Sequence, residues 1–420
     1  MDFLFNPIYK IKKLHLLYFF AFLTLGTIIT FYPTLFTFFR NIQSDIGDPR
    51  FCNYLLEHSF LWIKSNPLHN NYWNLPIFYP IKNTLAYSDM LLGPAPIYWI
   101  LRLFFLPDTS YQLWLILVFV LNYTVIYIFL SKYLKYSAYP SSIGSFIFTY
   151  SIPRTAQLMH AQLLPEFFII LSLFGLCKMF SDKSSKTWYW SLCFFLGILL
   201  QIITGVYLAF FWCLSLIVTF FIIRTFLPHT SIPSASTIKI IQNILILLIF
   251  SLILLFPVFL HYYAASKTTG FFDLKSIYSY LPHLMSWFYT GHSFVYSRLY
   301  FLPFFQFNNA YELVLNIGYV TTILVIYTAL INKNKYFFRL LLLSTVSIMS
   351  IVTIIPFTEF SLWEYIAAYL PFVRSVRVMS RIVLILLIPV CIWIAEYFQN
   401  LKSKKLAKVT KHIGLLVNDS

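Results

Sequence analysis

The stretch "LHLLYFFAFLTLGTIITFYPTLFTFF", residues 14–39, contains one histidine and no Asp, Glu, Lys or Arg. A helix of this length rises about 39 Å, enough to cross the roughly 30 Å hydrocarbon core of a bilayer. Backbone groups in hydrocarbon must be paired within the segment or in a closed barrel, and the alternation that barrel strands need is absent. The stretch therefore predicts a transmembrane helix. It exceeds the apolar core of a signal peptide, so we expect a retained first span.

Similar apolar runs recur along the 420 residues, of which 60% are hydrophobic and 10% charged. Such a composition is typical of polytopic helical membrane proteins. We predict an all-α transmembrane bundle of about ten spans, near residues 14–39, 111–131, 139–153, 161–180, 187–204, 206–223, 240–261, 313–331, 340–356 and 379–398.

The formal net charge of +16 is unevenly distributed between the two sides that these spans define. One side carries most of the Lys and Arg and few acids, whereas basic and acidic residues nearly balance on the other. Positively charged loops face the cytoplasm, so both termini are predicted to be inside. The basic charge therefore indicates topology, and no nucleic-acid partner is expected. The basic segments are the N-terminal end, residues 132–135, 178–186, 224–239, 333–339 and the tail at 401–420.

Two long segments fall on the outer side of the predicted membrane module, which covers residues 1–400. In the first, 40–110, the apolar spacing of 49–63 predicts an interfacial helix. Residues 91–106 are apolar but interrupted by proline, so we predict a re-entrant or interfacial segment. The second, 262–312, is rich in aromatic residues. Four of the five cysteines lie in apolar runs, and no disulfide framework is implied.

Carboxylates are scarce on the outer side, and two of them directly follow the first span. Asp45 and Asp48 lie in "SDIGDPR", where Gly47 and Pro49 predict a turn before the interfacial helix. A carboxylate held there could remove a proton from a hydroxyl group. The simpler alternative is that Asp48 caps the helix. Asp89, before the re-entrant segment, has the same two interpretations.

The stretch "PRTAQLMHAQLLPEFF", residues 153–168, forms a short predicted turn between two spans. It brings five polar residues together at the outer rim: Arg154, Gln157, His160, Gln162 and Glu166. Gln and His side chains suit the binding of sugar hydroxyls, whereas Arg154 and Glu166 could equally form a structural ion pair.

The last predicted span begins with "VRSVRVMSRIVLI", residues 373–385, which places three arginines against the orientation rule. Helical spacing would put Arg374, Arg377 and Arg381 on one face. Guanidinium groups bind phosphate through paired donors and stay charged in poorly hydrated sites. We therefore predict a site for a lipid-linked phosphate. The alternatives are contact with lipid headgroups or pairing with Glu359 or Glu364.

Five stretches occur in an order that resembles the GT-C superfamily of integral-membrane glycosyltransferases, in its bacterial branch. They are "GDPR" after the first span, "FYPIKNTLAYSDMLLG", "PRTAQLMHAQLLPEFF", "YELVLNIGY" and "VRSVRVMSRIVLI". The resemblance covers about 380 residues of the chain.

The resemblance implies transfer of a sugar from a polyprenyl-phosphate donor to a lipid, glycan or protein acceptor, presumed inverting, on the outer face of the cytoplasmic membrane. It implies an acid of the first outer loop as general base, which points to Asp48, Asp45 or Asp89. The arginines would hold the donor phosphate, and Arg154, His160, Gln162 and Glu312 would bind substrate. No cofactor is specified, a divalent metal is left open, and membrane lipids are the other expected partners.

Three alternatives remain from the sequence. A lipid or polysaccharide transporter would favour charges at mid-membrane and an internal repeat, neither of which is found. An O-antigen-type polymerase or ligase would also use outer arginines and could act without an acidic base. A non-enzymatic membrane assembly factor would depend on the aromatic outer surface more than on carboxylates.

Overall fold

The computed structural model describes residues 7–43, 47–181, 186–226, 234–291, 293, 295–296, 298, 301–358 and 360–418, without side chains at 7–12, 234–239 and 404–418. Asp45 and Glu359 lie outside the described residues.

Helices are the only extended regular elements in this described part, which confirms the all-α prediction. Apart from short 3₁₀ turns and one π turn, they are α1 (Pro7–Phe36), α2 (Asp48–Ile63), α3 (Ala95–Arg102), α4 (Pro107–Ile128), α5 (Ala138–Tyr150), α6 (Ile152–Ala156), α7 (Phe167–Ser181), α8 (Thr187–Ile202), α9 (Val206–Phe226), α10 (Ser234–Thr269), α11 (Leu274–Tyr278), α12 (Tyr319–Asn332), α13 (Tyr336–Val352), α14 (Leu362–Tyr369) and α15 (Val383–Asn418).

Six of the described segments are long and apolar enough to cross a membrane. They are Lys13–Phe36, Pro107–Tyr133, Ala161–Ser181, Val206–Phe226, Ile240–Thr269 and Met379–Ser403. Each coincides with a predicted span, and each has at least the roughly 20 residues that a bilayer requires.

The other four predicted spans correspond to shorter helices, α5, α8, α12 and α13, of 13, 16, 14 and 17 residues. The predicted start of the span at 313–331 is wrong, because residues 313–318 precede α12 instead of belonging to it. Gly318 has a φ of +95°, a conformation that interrupts a helix, and its N–H donates to Asn316 Oδ1 at 2.7 Å. This departure leaves Glu312 on a 3₁₀ turn outside the helix.

The centre of the bundle is the first half of α15, where residues 383–395 are buried. Helices α5 and α12 pack along it. Gly144 of α5 lies so close to the carbonyl oxygen of Cys391 that an added Cβ would be 2.8 Å away. Helices in a membrane gain little from burying apolar surface against each other, so their association depends on close packing. A small residue such as glycine permits that close approach.

Helix α10 lies at the periphery, packed on α8. Long apolar side chains along it, among them Leu245, Ile249, Ile253 and Phe256, are more than half exposed. An apolar surface of this extent is unfavourable in water and suits contact with lipid. The arrangement supports a membrane protein with α15 inside and α10 facing outward.

The segment 40–110 contains α2, which confirms a helix at the predicted residues 49–63, and α3. With eight residues, α3 rises about 12 Å and cannot cross a bilayer by itself. Glu57 of α2 joins the two helices, because Arg102 Nε donates to it at 2.8 Å and Tyr98 Oη at 2.7 Å. These contacts fix the position of α2, whose first residue is Asp48.

Candidate active site

Asp48 is the first residue of α2, and its side chain is 59% exposed. Its Oδ2 lies 3.3 Å from His160 Nε2. Asp48 therefore contacts the protein on one side and is open to solvent on the other.

His160 lies in the turn between α5 and α7, which contains the short helix α6 and a 3₁₀ turn at Ala161–Leu163. The ring is buried, and Nε2 lies 3.6 Å from Glu312 Oε1 as well as close to Asp48. The thiol of Cys52 donates to Gln162 Oε1 at 3.2 Å and so joins α2 to this turn. His160 thus lies between two carboxylates from distant segments.

Glu312 forms a buried ion pair with Arg381. Arg381 Nε donates to Oε2 at 3.0 Å, Nη2 donates to Oε1, and Gln157 Nε2 donates to Oε2 at 3.3 Å. Burial by itself would raise the pKa of Glu312, but the hydrogen bonds and charge of Arg381, with His160, lower it below its usual value. The Arg381 guanidinium also lies over the ring of Tyr207, 5.1 Å from the centroid.

Asp89 has a different role from the cap that the sequence suggested. Its Oδ1 accepts the N–H of Val206 at 2.8 Å, so it caps the distant helix α9 and not the adjacent segment 91–106. The side chain keeps some solvent access but lies deep in the protein. Burial raises its pKa to about 6, against the opposing effects of the Val206 N–H and the charge of Arg381.

The predicted arginine face is wrong. Instead of one helix, the segment contains 3₁₀ turns at Pro371–Ser375 and Met379–Ile382, with Val376 and Val378 in extended or irregular conformations between them. The chain must turn here from α14 into α15, and the change of direction points the three arginines to different partners.

Each of these arginines contacts a different set of groups. Arg374 donates to the carbonyl oxygens of Ala367 at 2.8 Å and Ala368 at 3.2 Å, where it satisfies the C-terminal end of α14. Arg381 binds Glu312. Arg377 lies against two rings, with its guanidinium carbon 5.0 Å from the centroid of Phe272 and 4.7 Å from that of Tyr280.

Arg377 keeps its guanidinium donors available. Its Nε is buried and has no hydrogen-bond acceptor among the described residues. Contacts with ring faces fix the plane of a guanidinium but use none of its N–H groups. Its backbone N–H donates to Tyr207 Oη at 3.2 Å, which connects it to the ring beneath Arg381. Arg377 is therefore the arginine best placed to bind an added anion.

Arg154 forms an ion pair with Glu166, and neither side chain is exposed. Arg154 Nε donates to the Phe148 carbonyl oxygen at 2.9 Å, and the guanidinium carbon lies 4.6 Å from the centroid of the Phe148 ring. The sequence left a substrate-binding role and an ion pair open. The structure shows the ion pair, enclosed between α5 and α7.

The structure thus connects residues from four distant segments: Asp48, His160, Glu312 and Arg381 form one chain of contacts, with Gln162 bound to Cys52 beside it. Sequence reasoning missed Tyr207, which accepts the backbone N–H of Arg377 and lies under the guanidinium of Arg381. It is one of 31 tyrosines and begins an ordinary apolar helix, so no local signal could have identified it.

A separate apolar depression of about 430 Å³ is lined by Met285, Phe288, Leu302, Phe304, Phe305 and Tyr319. It contains no acid or base. Within the described ranges, no group of three or more His, Cys, Asp or Glu is arranged to hold a metal ion. Comparison of the chain with protein-family models, curated proteins and solved structures finds no match.

Proposed function

We propose that this chain is a membrane glycosyltransferase that moves a sugar from a polyprenyl-phosphate donor to an acceptor hydroxyl. One observation carries the proposal: His160 Nε2 lies 3.3 Å from the exposed acid Asp48 and 3.6 Å from Glu312, which binds an arginine of the 371–382 segment. This contact chain links the candidate base to Arg381, and Tyr207, which accepts the backbone N–H of Arg377 and lies under the Arg381 guanidinium, links Arg377 to the same group. The family resemblance of the sequence supports the same chemistry.

Asp48 is the proposed general base. Its exposed carboxylate can meet an acceptor hydroxyl from the solvent side, and His160 holds its other side in place. Asp45 remains the second candidate in the same turn. Asp89 is less suited to this role, because the Val206 N–H occupies Oδ1 and the side chain lies deeper.

Arg377 is the proposed ligand of the donor phosphate. As the sugar leaves, negative charge develops on the phosphate, and a fixed guanidinium whose donors are available stabilises that charge at little reorganisation cost. Arg381, which Tyr207 links to the backbone of Arg377, is bound to Glu312. Arg374 is occupied by the end of α14.

The proposed topology has ten spans, both termini inside and the site outside, in the cytoplasmic membrane. It predicts that cysteines placed at the exposed positions Ser375 and Ser403 label from opposite sides. The five native cysteines are free thiols, so they would be replaced first. Labelling of position 375 from the cytosol would exclude an outward-facing site.

The deciding experiment measures sugar transfer from a defined polyprenyl-phosphate sugar in membranes bearing Asp48→Asn or Arg377→Ala. We expect each to lower turnover by about 100-fold or more. Asp273→Asn and Lys275→Ala are matched controls, because these charged residues lie on the same outer side at an exposed helix start. Unchanged turnover in both site variants would remove the mechanism, whereas loss in Arg377→Ala alone would favour a ligase or polymerase without an acidic base.

A further inference from the structure

Glu312 binds Arg381 with the paired geometry that a phosphate would use. Two nitrogens of the Arg381 guanidinium, Nε and Nη2, donate to the two oxygens of Glu312. Carboxylate and phosphate oxygens accept the same paired donors of a guanidinium. One such edge of Arg381 can therefore hold Glu312 or an added phosphate, but not both.

The position of His160 offers Glu312 a second partner. The distance of 3.6 Å between Nε2 and Oε1 is too long for a good hydrogen bond, and a shift of under about 1 Å would form one. The same nitrogen lies 3.3 Å from Asp48 Oδ2. Because one ring N–H donates well to only one acceptor at a time, a hydrogen bond to Glu312 would weaken the contact with Asp48.

We infer that Glu312 occupies the place of an anionic group on Arg381, and that a lipid-linked phosphate displaces it toward His160. This inference rests on the proposed function. Displacement adds a second arginine to the phosphate beside Arg377, and it frees Asp48 from His160 as the donor arrives. Glu312 is then a positioning residue, which couples occupation of the phosphate site to exposure of the base.

The inference predicts that removal of the competing charge improves phosphate binding. The probe is farnesyl phosphate, with farnesol as the uncharged control, added to the purified full-length protein in detergent. We expect Glu312→Gln to bind farnesyl phosphate about tenfold more tightly than the wild type and farnesol equally. Glu396→Gln is the matched control, because Glu396 is also buried and pairs with Lys335 at 3.0 Å, in a different part of the bundle.

A second variant tests the part played by His160. In His160→Gln the displaced Glu312 no longer has an imidazole, which can carry a positive charge, to pair with. Farnesyl phosphate should therefore bind more weakly to this variant than to the wild type. Combining it with Glu312→Gln should restore the affinity, because no displaced carboxylate remains to be accommodated. A purely structural role of His160 would instead make the double variant the weaker binder.

The possible failures are distinguishable. Equal affinity of the wild type and Glu312→Gln for farnesyl phosphate, both above farnesol, would refute the exchange and leave the phosphate site intact. No preference for farnesyl phosphate over farnesol in either protein would refute the proposed function itself. If Glu312→Gln melts far below the wild type, Glu312→Asp replaces it, and an affinity no higher than that of the wild type refutes the exchange.

Discussion

His160 Nε2 lies 3.3 Å from Asp48 Oδ2, a contact that joins the turn before α7 to the first residue of α2. The histidine is buried and the aspartate is mostly exposed. His160 therefore fixes the orientation of the Asp48 carboxylate, which stays mostly exposed to solvent. Asp89 has a different environment, because its carboxylate accepts the N–H of Val206 at the start of α9.

Asp89→Asn should stabilise the protein at neutral pH. The folded-state pKa of about 6 lies above the ordinary value of 3.8, so the folded protein binds this proton more tightly than the unfolded chain. Ionised Asp89 therefore costs stability, and the cost is fully present above pH 6 and absent below pH 3.8. A shift of this size corresponds to at most about 3 kcal/mol.

The measurement is the apparent melting temperature of both proteins between pH 4 and 8. Asparagine keeps an oxygen that can accept the Val206 N–H, so the cap is preserved. We expect the gain to appear above pH 6 and to vanish near pH 4. Retained sugar transfer would agree with a structural role, whereas complete loss of transfer in a stable variant would identify Asp89 as the base.

Arg374→Gln should lower the stability of the protein, whereas Arg377→Gln should weaken phosphate binding. Arg374 binds two carbonyl oxygens at the end of α14, so its loss should lower stability by about 1 to 3 kcal/mol and leave phosphate binding unchanged. Arg377 makes only ring contacts with its side chain in the described structure, so its loss should weaken farnesyl phosphate binding with a smaller effect on melting. Equal loss of binding in both variants would contradict this division of roles.

Arg154→Gln should destabilise the protein strongly. It leaves Glu166, which is fully buried, without its charged partner, and breaking a buried pair from one side typically costs about 3 to 5 kcal/mol. The double variant Arg154→Gln/Glu166→Gln should recover part of the melting temperature because no unpaired charge remains. Farnesyl phosphate affinity of the folded double variant should match that of the wild type; a large loss would restore a substrate-binding role for Arg154.

The long apolar helices could be predicted because length and composition alone decide them, as at residues 14–39 and 379–398. The span predicted at 313–331 could not be bounded correctly. Its first residues are apolar, but the positive φ of Gly318 and its hydrogen bond to Asn316 delay the start of the helix to Tyr319, and a hydropathy pattern does not contain that information.

The sequence identified the residues of the candidate site better than it predicted how they are arranged. Polar residues near apolar spans are costly and few, so Asp48, His160, Glu312 and Arg381 could be selected from the sequence. Their pairing depends on where distant segments meet. The shared face expected for Arg374 and Arg381 failed because it assumed a continuous helix, whereas the segment turns between α14 and α15.

His69→Gln should reduce the loss of stability on acidification. His58 Nε2 contacts the Tyr72 carbonyl oxygen at 2.9 Å and therefore carries a proton, so His58 Nδ1 must accept from His69 Nδ1 at 2.7 Å in the neutral pair. One added proton can be placed on the far side of His69. A second would set two N–H groups against each other, which should separate the turn at 66–69 from α2.

Burial lowers the pKa of both histidines below 6.5, with a smaller lowering of His58 by His69 and an opposing effect of Glu57 on His69. The unfolded chain therefore binds more protons below pH 6.5, and stability should fall as the pH drops through that value. We expect melting between pH 7.5 and 5 to fall less in His69→Gln than in the wild type. Lys64→Gln, a charge change at the end of α2, should keep the wild-type slope. Identical slopes in all three proteins would mean that this pair remains neutral and joined throughout the range.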